Sequence, residues 1–123
     1  MYPADRRYTK EHEWISTSGS RGRVGITDYA QKQLGDVVFV ELPDKGRAVK
    51  QGQAAGTIES VKAVSELYCP ASGTVAEVNP DATTSPELVN KDPHGTWLYS
   101  LDLSDPAEIE TLLTSDQYTE LVK

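Results

Sequence analysis

The most informative segment of the chain is Gly56-Thr57-Ile58-Glu59-Ser60-Val61-Lys62-Ala63-Val64-Ser65-Glu66-Leu67. Apolar and β-branched residues lie on both sides of its lysine, which predicts two short strands joined by a turn. Four apolar side chains are expected to anchor these strands: Ile58, Val61, Val64 and Leu67. Four polar side chains are expected to face solvent: Glu59, Ser60, Lys62 and Ser65. The segment therefore predicts a hairpin that holds one lysine out in water.

A solvated lysine on a rigid hairpin is suited to being acylated. The ammonium group is a poor nucleophile near neutral pH, so it needs an activated acyl donor that another enzyme supplies. This chemistry favours a modified carrier lysine at Lys62 over a catalytic one. Most lysines in proteins are simply solvated charges, and from spacing alone that interpretation stays open.

The remainder of the chain is predicted to be rich in strands. Residues 14–16 and 24–26 are expected to pair around the turn at Ser18-Gly19-Ser20. Thr27 is expected to cap a short helix over Asp28–Leu34 that stops at Gly35. These signals place a hairpin and a helix before the lysine segment.

Further strands are predicted at 37–42, 73–78 and 97–103, and residues 86–89 are too short to assign. Asp105 is expected to start a helix with Pro106 at its first position. A last amphipathic stretch follows at 115–122. The chain thus ends in a helical segment.

Composition excludes several classes of protein. The formal net charge of −7 argues against nucleic acid or an anionic membrane as a partner. No apolar run approaches the roughly 18 residues that span a bilayer, and no charged-then-apolar leader opens the chain. We therefore expect a protein of the bacterial cytoplasm, whose acidic surface suits either solubility or docking onto basic rims of larger enzymes.

The reactive residues indicate no catalytic or metal site. Cys69 is the single cysteine, and its neighbours suggest a small buried residue. His12 and His94 are far apart in sequence and have no cysteine ligands near them, so a structural metal is not expected. No phosphate loop, Ser/His/Asp pattern or dinucleotide fingerprint is present.

Motifs along nearly the whole chain resemble those of the glycine cleavage system H-protein, a lipoyl-carrier family. In order, they are YTKEHEW (8–14), GITDYAQ (25–31), LGDVVFVELP (34–43), ESVKAVS (59–65), SG (72–73), EVN (77–79) and PELVN (86–90). The resemblance implies a mainly β fold, the lipoyl/biotinyl-type barrel-sandwich hybrid of two small sheets, with short helices and a C-terminal helical segment. It implies one lipoyl-carrier domain over 1–123, with a core at about 24–103 and the helical segment at about 105–122.

The resemblance also implies a function. H-proteins are carriers and not enzymes, and their covalently bound lipoate accepts an aminomethyl group when a pyridoxal-phosphate enzyme, glycine decarboxylase, acts on glycine. The arm delivers this group to a tetrahydrofolate-dependent aminomethyltransferase, and the FAD-containing dihydrolipoyl dehydrogenase reoxidises the dithiol. A lipoate ligase or lipoyl transferase attaches the lipoate, and the carrier is expected to be monomeric.

Individual residues match positions with roles in that family. Lys62 matches the lipoylated lysine, and Glu59 and Gly73 match positions that lipoyl-attaching enzymes read. As alternatives, Glu59 is a solvated charge and Gly73 a turn glycine. Glu13 and Glu66 match acidic positions near the cleft that shelters the loaded arm, where a carboxylate could pair with a cationic amine. A structural or solubilising role is the alternative for both.

Two segments depart from the common family pattern, namely 81–85 and 92–97, and this puts partner preference in question.

Three other classes of carrier protein are alternatives to this family. A biotinyl carrier would have methionines beside the lysine, where this chain has Val61 and Ala63. A lipoyl domain of a 2-oxo acid dehydrogenase would have an aspartate before the lysine and a linker to a larger enzyme. The third class is an H-protein-like carrier reassigned to lipoyl relay or redox work, and the sequence leaves it open. Neighbouring genes for glycine decarboxylase and the aminomethyltransferase would distinguish a glycine cleavage carrier from it.

Overall fold

Two antiparallel sheets form the framework of the protein. The structure is a computed structural model and describes residues 2–123. The strands are β1 (Arg7–Tyr8), β2 (Glu13–Ser18), β3 (Arg21–Ile26), β4 (Val37–Glu41), β5 (Ala48–Val49), β6 (Ala54–Ser60), β7 (Val64–Tyr68), β8 (Gly73–Val78) and β9 (Tyr99–Leu103). One sheet has six strands in the order β1-β2-β3-β9-β8-β5, and the other has three in the order β4-β6-β7. The prediction of a mainly β chain with two sheets is confirmed.

Short helices fill the connections between strands. They are α1 (Asp28–Leu34), α2 (Pro80–Thr84), α3 (Leu88–Lys91), a 3₁₀ helix (Pro106–Thr111) and α4 (Ser115–Leu121). The bounds of α1 are as predicted, because Thr27 Oγ1 accepts a hydrogen bond from the Ala30 N–H and Gly35 ends the helix at a φ of 79°. The sequence did not predict α2, and residues 86–89 fall partly in α3.

The C-terminal segment is helical, as predicted, but in two different forms. The helix expected after Asp105 is a 3₁₀ helix, with the Asp105 side chain accepting from the Ala107 N–H. The second, α4, begins with a capping box in which Thr114 and Gln117 each accept from the other's backbone N–H. These local hydrogen bonds satisfy backbone donors that a helix start leaves free.

Two clusters of buried side chains hold the layers together. The larger cluster lies between the sheets and contains Ile15, Val24, Val40, Ile58, Leu67, Val75, Tyr99 and Leu101 among others. The smaller cluster joins the N-terminal strands to α4 through Tyr8, Trp14 and Tyr118. The Tyr8 and Tyr118 rings stack at 4.9 Å between centroids. The C-terminal helix is therefore packed onto the first strands of the six-stranded sheet.

The lysine segment forms the predicted hairpin, but two of its four apolar residues do not anchor it. Ile58 and Leu67 are buried, whereas Val61 is 69% and Val64 is 65% exposed. Val64 pairs with Glu59 on the outer face of the sheet, and Val61 lies in the turn between β6 and β7. Side chains alternate between faces along a strand, so Val64 cannot share the inward face of Leu67.

Ser60 also differs from its prediction, because it is 8% exposed instead of facing solvent. It lies two residues after Ile58 and so shares the inward face of β6. Its polar groups are used within the turn, as described below.

Gly73 lies inside a strand and is not a turn glycine. In β8 it pairs with Val49 on one side and with Leu103 on the other. A Cβ at this position would overlap the Asp102 carbonyl oxygen and lie 3.2 Å from the Leu103 Cα. The close approach of β8 and β9 therefore requires glycine.

We expect Gly73→Ala to lower the free energy of unfolding by about 1–3 kcal/mol, because backbone atoms of β9 must move to admit the new methyl group. Urea denaturation is the measurement, and Thr74→Ala, at the exposed neighbouring position of the same strand, is the matched control. Equal stability of the two variants would contradict the packing argument.

Candidate functional site

The turn that carries Lys62 is fixed by the residue at the end of β6. The Ser60 N–H donates to the Ala63 carbonyl over 2.8 Å. The Ser60 Oγ accepts from the N–H groups of Lys62 and Ala63 at 3.3 and 3.1 Å. A buried serine thus orders the three-residue connection 61–63 through its backbone and its side chain. Lys62 itself is exposed. The structure confirms the prediction of an exposed lysine on an ordered hairpin.

A second set of hydrogen bonds ties this turn to the end of α1. The Val61 N–H donates to the Asp36 carbonyl at 3.0 Å. Asn90 holds the same segment, because its Oδ1 accepts from the Val37 N–H at 2.8 Å and its Nδ2 donates to the Gly35 carbonyl at 2.9 Å. Asn90 belongs to the PELVN motif noted in the sequence, but nothing in the sequence indicated that it holds the segment to which the lysine turn is bonded.

The aliphatic part of Lys62 passes over Gly35. A Cβ at Gly35 would lie 3.4 Å from Lys62 Cε, and the φ of 79° there is one that residues with a side chain rarely adopt. The sharp end of α1 and the path of the lysine stem therefore meet at the same glycine.

Next to this turn lies a cavity of about 320 Å³. Its apolar wall comes from Ile26, Ala30, Leu34, Ile58 and Leu67, and its polar wall includes Glu11, His12, Glu13, Gln33, Ser65 and Glu66. The structure thus brings Glu13 and Glu66, both proposed from sequence, to one cavity beside the lysine hairpin. Glu11, His12 and Gln33 were missed, although Glu11 and His12 lie in the same YTKEHEW motif.

Glu13 is a buried carboxyl group with well-defined partners. It is 2% exposed. One carboxyl oxygen accepts from the Thr9 hydroxyl at 2.6 Å and the other from the Tyr68 N–H at 3.2 Å. Burial raises the pKa of Glu13 to about 7, against the opposing effect of these two hydrogen bonds. Near neutral pH the group is therefore poised to gain or lose a proton.

His12 connects the cavity wall to the C-terminal helix. Its φ is 72°, and its Nδ1 lies 2.8 Å from the Tyr118 hydroxyl. That hydroxyl is also 2.7 Å from Thr27 Oγ1, the cap of α1. Burial lowers the pKa of His12. A single tyrosine on α4 thus holds together two of the elements that line the cavity.

The other residues proposed from sequence lie on different surfaces. Glu59 is exposed and pairs with Val64, and Glu66 is exposed and pairs with Thr57 two rows further from the turn. Both therefore belong to the outer face of the three-stranded sheet, and Glu66 reaches the cavity from its edge strand. Gly73 lies in the other sheet.

Cys69 is buried, as predicted, with its Sγ 3.3 Å from the Tyr99 hydroxyl. Burial raises the pKa of this thiol. Within residues 2–123, His, Cys, Asp and Glu side chains form no group of three or more that could hold a metal ion. None of the helices described is long and apolar enough to cross a membrane.

Comparison with known proteins identifies the family of the chain. The family described as "Glycine cleavage H-protein" matches residues 6–123. The chain belongs to the glycine cleavage H-protein family. The glycine cleavage system H protein of Symbiobacterium thermophilum is 57% identical over 122 residues, which cover 98% of this chain and 95% of that protein. The protein of the same name from Bacillus subtilis is 50% identical over 122 residues, covering 98% and 96%.

A solved structure supports the same assignment. The crystal structure of a glycine cleavage system H protein from Mycobacterium marinum matches with a TM-score of 0.89 at 43% sequence identity, covering 97% of each chain. The resemblance to the H-protein family and the barrel-sandwich hybrid fold expected from it are both confirmed.

The raised pKa of Glu13 predicts that the stability of the protein depends on pH. The pKa of Glu13 is about 7 in the fold and about 4.5 in an unfolded chain, so unfolding releases its proton between these values. The free energy of unfolding should therefore fall as pH rises through this window, by about 3 kcal/mol from Glu13 alone. Below pH 4.5 the group is protonated in both states and contributes no pH dependence.

Urea denaturation of the wild type and of Glu13→Gln at pH 5 and pH 8 measures this effect, because other titrating groups cancel in the difference. Wild type should lose stability relative to the variant as pH rises. Glu59→Gln, which alters an exposed carboxylate, is the control and should show no such change. A pH-independent difference for Glu13→Gln would contradict a neutral buried carboxyl.

Proposed function

We propose that this chain is the lipoyl carrier of a glycine cleavage system and that Lys62 is the residue that carries the lipoate. Membership of the glycine cleavage H-protein family supports the carrier role. The single observation behind the assignment to Lys62 is that this exposed lysine sits on a turn fixed by Ser60 and opens beside an acidic cavity.

The residues around Lys62 fit a lipoyl arm. An amide at the lysine nitrogen removes its charge and leaves a long aliphatic chain, which suits the apolar wall formed by Leu34, Ile58 and Leu67. When attached, the lipoyl dithiolane supplies a disulfide that is reduced as it accepts the aminomethyl group. Because the arm is covalently held, its cargo stays at high effective concentration near a docked partner.

The carboxylates of the cavity provide the complement to a cationic cargo. Glu13 is held in place by Thr9 and Tyr68, so its oxygens are oriented before any amine arrives. An ammonium group in the cavity would favour the ionised form of Glu13, and the resulting pair would be shielded from water. Glu66 and Glu11 add negative charge at the exposed side of the same cavity.

We assign further roles on the same basis. Glu59, exposed and three residues before Lys62, is proposed to contact the lipoate ligase or lipoyl transferase. Gly73 is proposed to support recognition by keeping β8 and β9 in register. The partners proposed for the loaded and reduced carrier are glycine decarboxylase, the aminomethyltransferase and dihydrolipoyl dehydrogenase. The two relatives named above are bacterial, and we propose the bacterial cytoplasm as the compartment and a monomer as the working state.

Incubation with a lipoate ligase, lipoate and ATP should add one lipoyl group at Lys62. Lys62→Arg keeps the positive charge but should abolish the modification, because a guanidinium does not form the amide. Lys50→Arg, at another exposed position near a turn, should be modified as wild type. Intact mass and peptide mapping are the measurements. Equal lipoylation of Lys62→Arg would show that the site is elsewhere.

Removing cavity carboxylates should shorten the lifetime of the carrier loaded with the aminomethyl group. Glu66 is exposed, and an exposed pair contributes about 0.2–1 kcal/mol, so Glu66→Gln should accelerate breakdown about 1.4- to fivefold. Glu13 is buried, and a hydrogen bond to a charged group contributes about 1.5–3 kcal/mol, so Glu13→Gln should accelerate it about tenfold or more.

Release of formaldehyde from purified loaded protein, followed over time without partner enzymes, measures this lifetime. The extent of lipoylation after complete reaction and the reoxidation of the dithiol should stay nearly unchanged in both variants. Glu59→Gln alters a carboxylate near Lys62 that does not line the cavity, so its decay should match wild type. Identical decay in wild type and the double variant Glu13→Gln/Glu66→Gln would rule out the cavity carboxylates while leaving the carrier role intact.

A further inference from the structure

Exposed apolar side chains are concentrated around the lysine hairpin. The large apolar residues that the described chain exposes most are Val38 (51%), Phe39 (47%), Val61 (69%), Val64 (65%) and Leu121 (48%). All except Leu121 lie on the three-stranded sheet or in the turn next to it. Single exposed apolar residues are ordinary, but a group of them on one surface marks an interaction site.

The strand register places these residues side by side. Phe39 pairs with Glu59, and Glu59 pairs with Val64, so the three side chains form one row across β4, β6 and β7. The neighbouring row, Val40, Ile58 and Ser65, lies on the opposite face, and its first two members are buried. An irregularity in β4 between Val37 and Phe39 leaves both Val38 and Phe39 exposed.

The same face carries negative charge. The next outward row is Glu41, Thr57 and Glu66. With Glu59 in the first row, the two rows hold three carboxylates and no lysine or arginine. The outer face of the three-stranded sheet, defined as these two rows with Val38 and Val61, is therefore an apolar strip bordered by acidic side chains.

We infer that the outer face is the docking surface for the enzyme that attaches lipoate to Lys62. This inference rests on the proposed function. Before lipoylation the acceptor nitrogen is only one lysine side chain away from the turn, so the attaching enzyme must contact the surface around it. Enzymes that act after lipoylation reach the end of the longer lipoyl-lysine arm, so they do not need to contact the surface around the turn.

Charge and polarity define the surface of the partner that fits. It presents an apolar centre against Phe39 and Val64 and lysine or arginine side chains against the three carboxylates. A second copy of this chain is a poorer occupant, because a two-fold pairing of these faces would set acidic rows against acidic rows.

Steady-state lipoylation at varied carrier concentration tests the inference, with a lipoate ligase, lipoate and ATP. Phe39→Ser should raise the KM for the carrier about five- to tenfold and leave kcat unchanged, because the lost contact holds the carrier and not the reacting atoms. Leu121→Ser removes a side chain of matched exposure on α4 and should leave KM unchanged.

The acidic part of the surface is tested with Glu41→Gln/Glu59→Gln. Its KM should be raised several-fold at low salt and approach the wild-type value at high salt, where surface charges are screened. Glu77→Gln, an exposed carboxylate on the six-stranded sheet, is the control and should behave as wild type. Urea midpoints of all variants are measured in parallel, and Val64→Ser replaces Phe39→Ser if the latter is destabilised.

If both Phe39→Ser and Val64→Ser had the wild-type KM, the outer face would not be the docking surface. Lipoylation of Lys62 in the same samples would still support the carrier role. Failure of the wild type to be lipoylated at Lys62 would instead remove the proposed function itself. A wild-type dimer in sedimentation that Phe39→Ser dissociates would also overturn the inference, by assigning the outer face to self-association.

Discussion

The hydrogen bond from the Val61 N–H to the Asp36 carbonyl is the constraint on which the functional end of this protein depends. It joins the lysine turn to the segment that follows α1, and Asn90 fixes that segment from the other side. The hydrogen bonds of Ser60 order the turn internally, but they stay within the hairpin and do not fix it relative to α1. With the bond to Asp36, an exposed lysine has a fixed position relative to the cavity beside it.

The cavity contains a buried carboxyl group, Glu13, whose hydrogen-bond partners are both uncharged. Glu13 is accommodated by two donors, the Thr9 hydroxyl and the Tyr68 N–H, and by a raised pKa that keeps it close to neutral. Such a group is costly in its charged form until an opposite charge arrives. An ammonium group in the cavity, as proposed for the aminomethyl cargo, would supply the opposite charge that the fold itself does not provide.

The hairpin contributes to two surfaces, and Val64 and Glu66 of its edge strand border both of them. Inward residues such as Ile58 and Leu67 form the core and the wall of the cavity. Outward residues such as Glu59 and Val64 form the acidic, apolar outer face. Because one pair of strands supplies both surfaces, Lys62 lies between the cavity proposed for the arm and the outer face proposed for docking.

Local signals in the sequence were sufficient for much of the fold. Thr27 and Gly35 predicted both ends of α1, since a cap and a positive φ are properties of neighbouring residues. Alternation predicted the strand over Gly73–Val78, and the lysine segment predicted an exposed Lys62 on a hairpin. The spaced motifs identified the family, because many separate matches in order do not arise from composition.

Tertiary structure decided what depends on residues distant in the chain. Which valines of the hairpin are exposed followed from the register with Glu59, and the need for glycine at position 73 followed from the carbonyl of Asp102 in another strand. Glu13 accepts a hydrogen bond from the N–H of Tyr68 in another strand, and His12 is held by Tyr118 from the far end of the chain. Sequence by itself predicted most of the local elements, an exposed Lys62 and the family; long-range packing alone determined burial, and with it the pKa of Glu13 and the shape of the site.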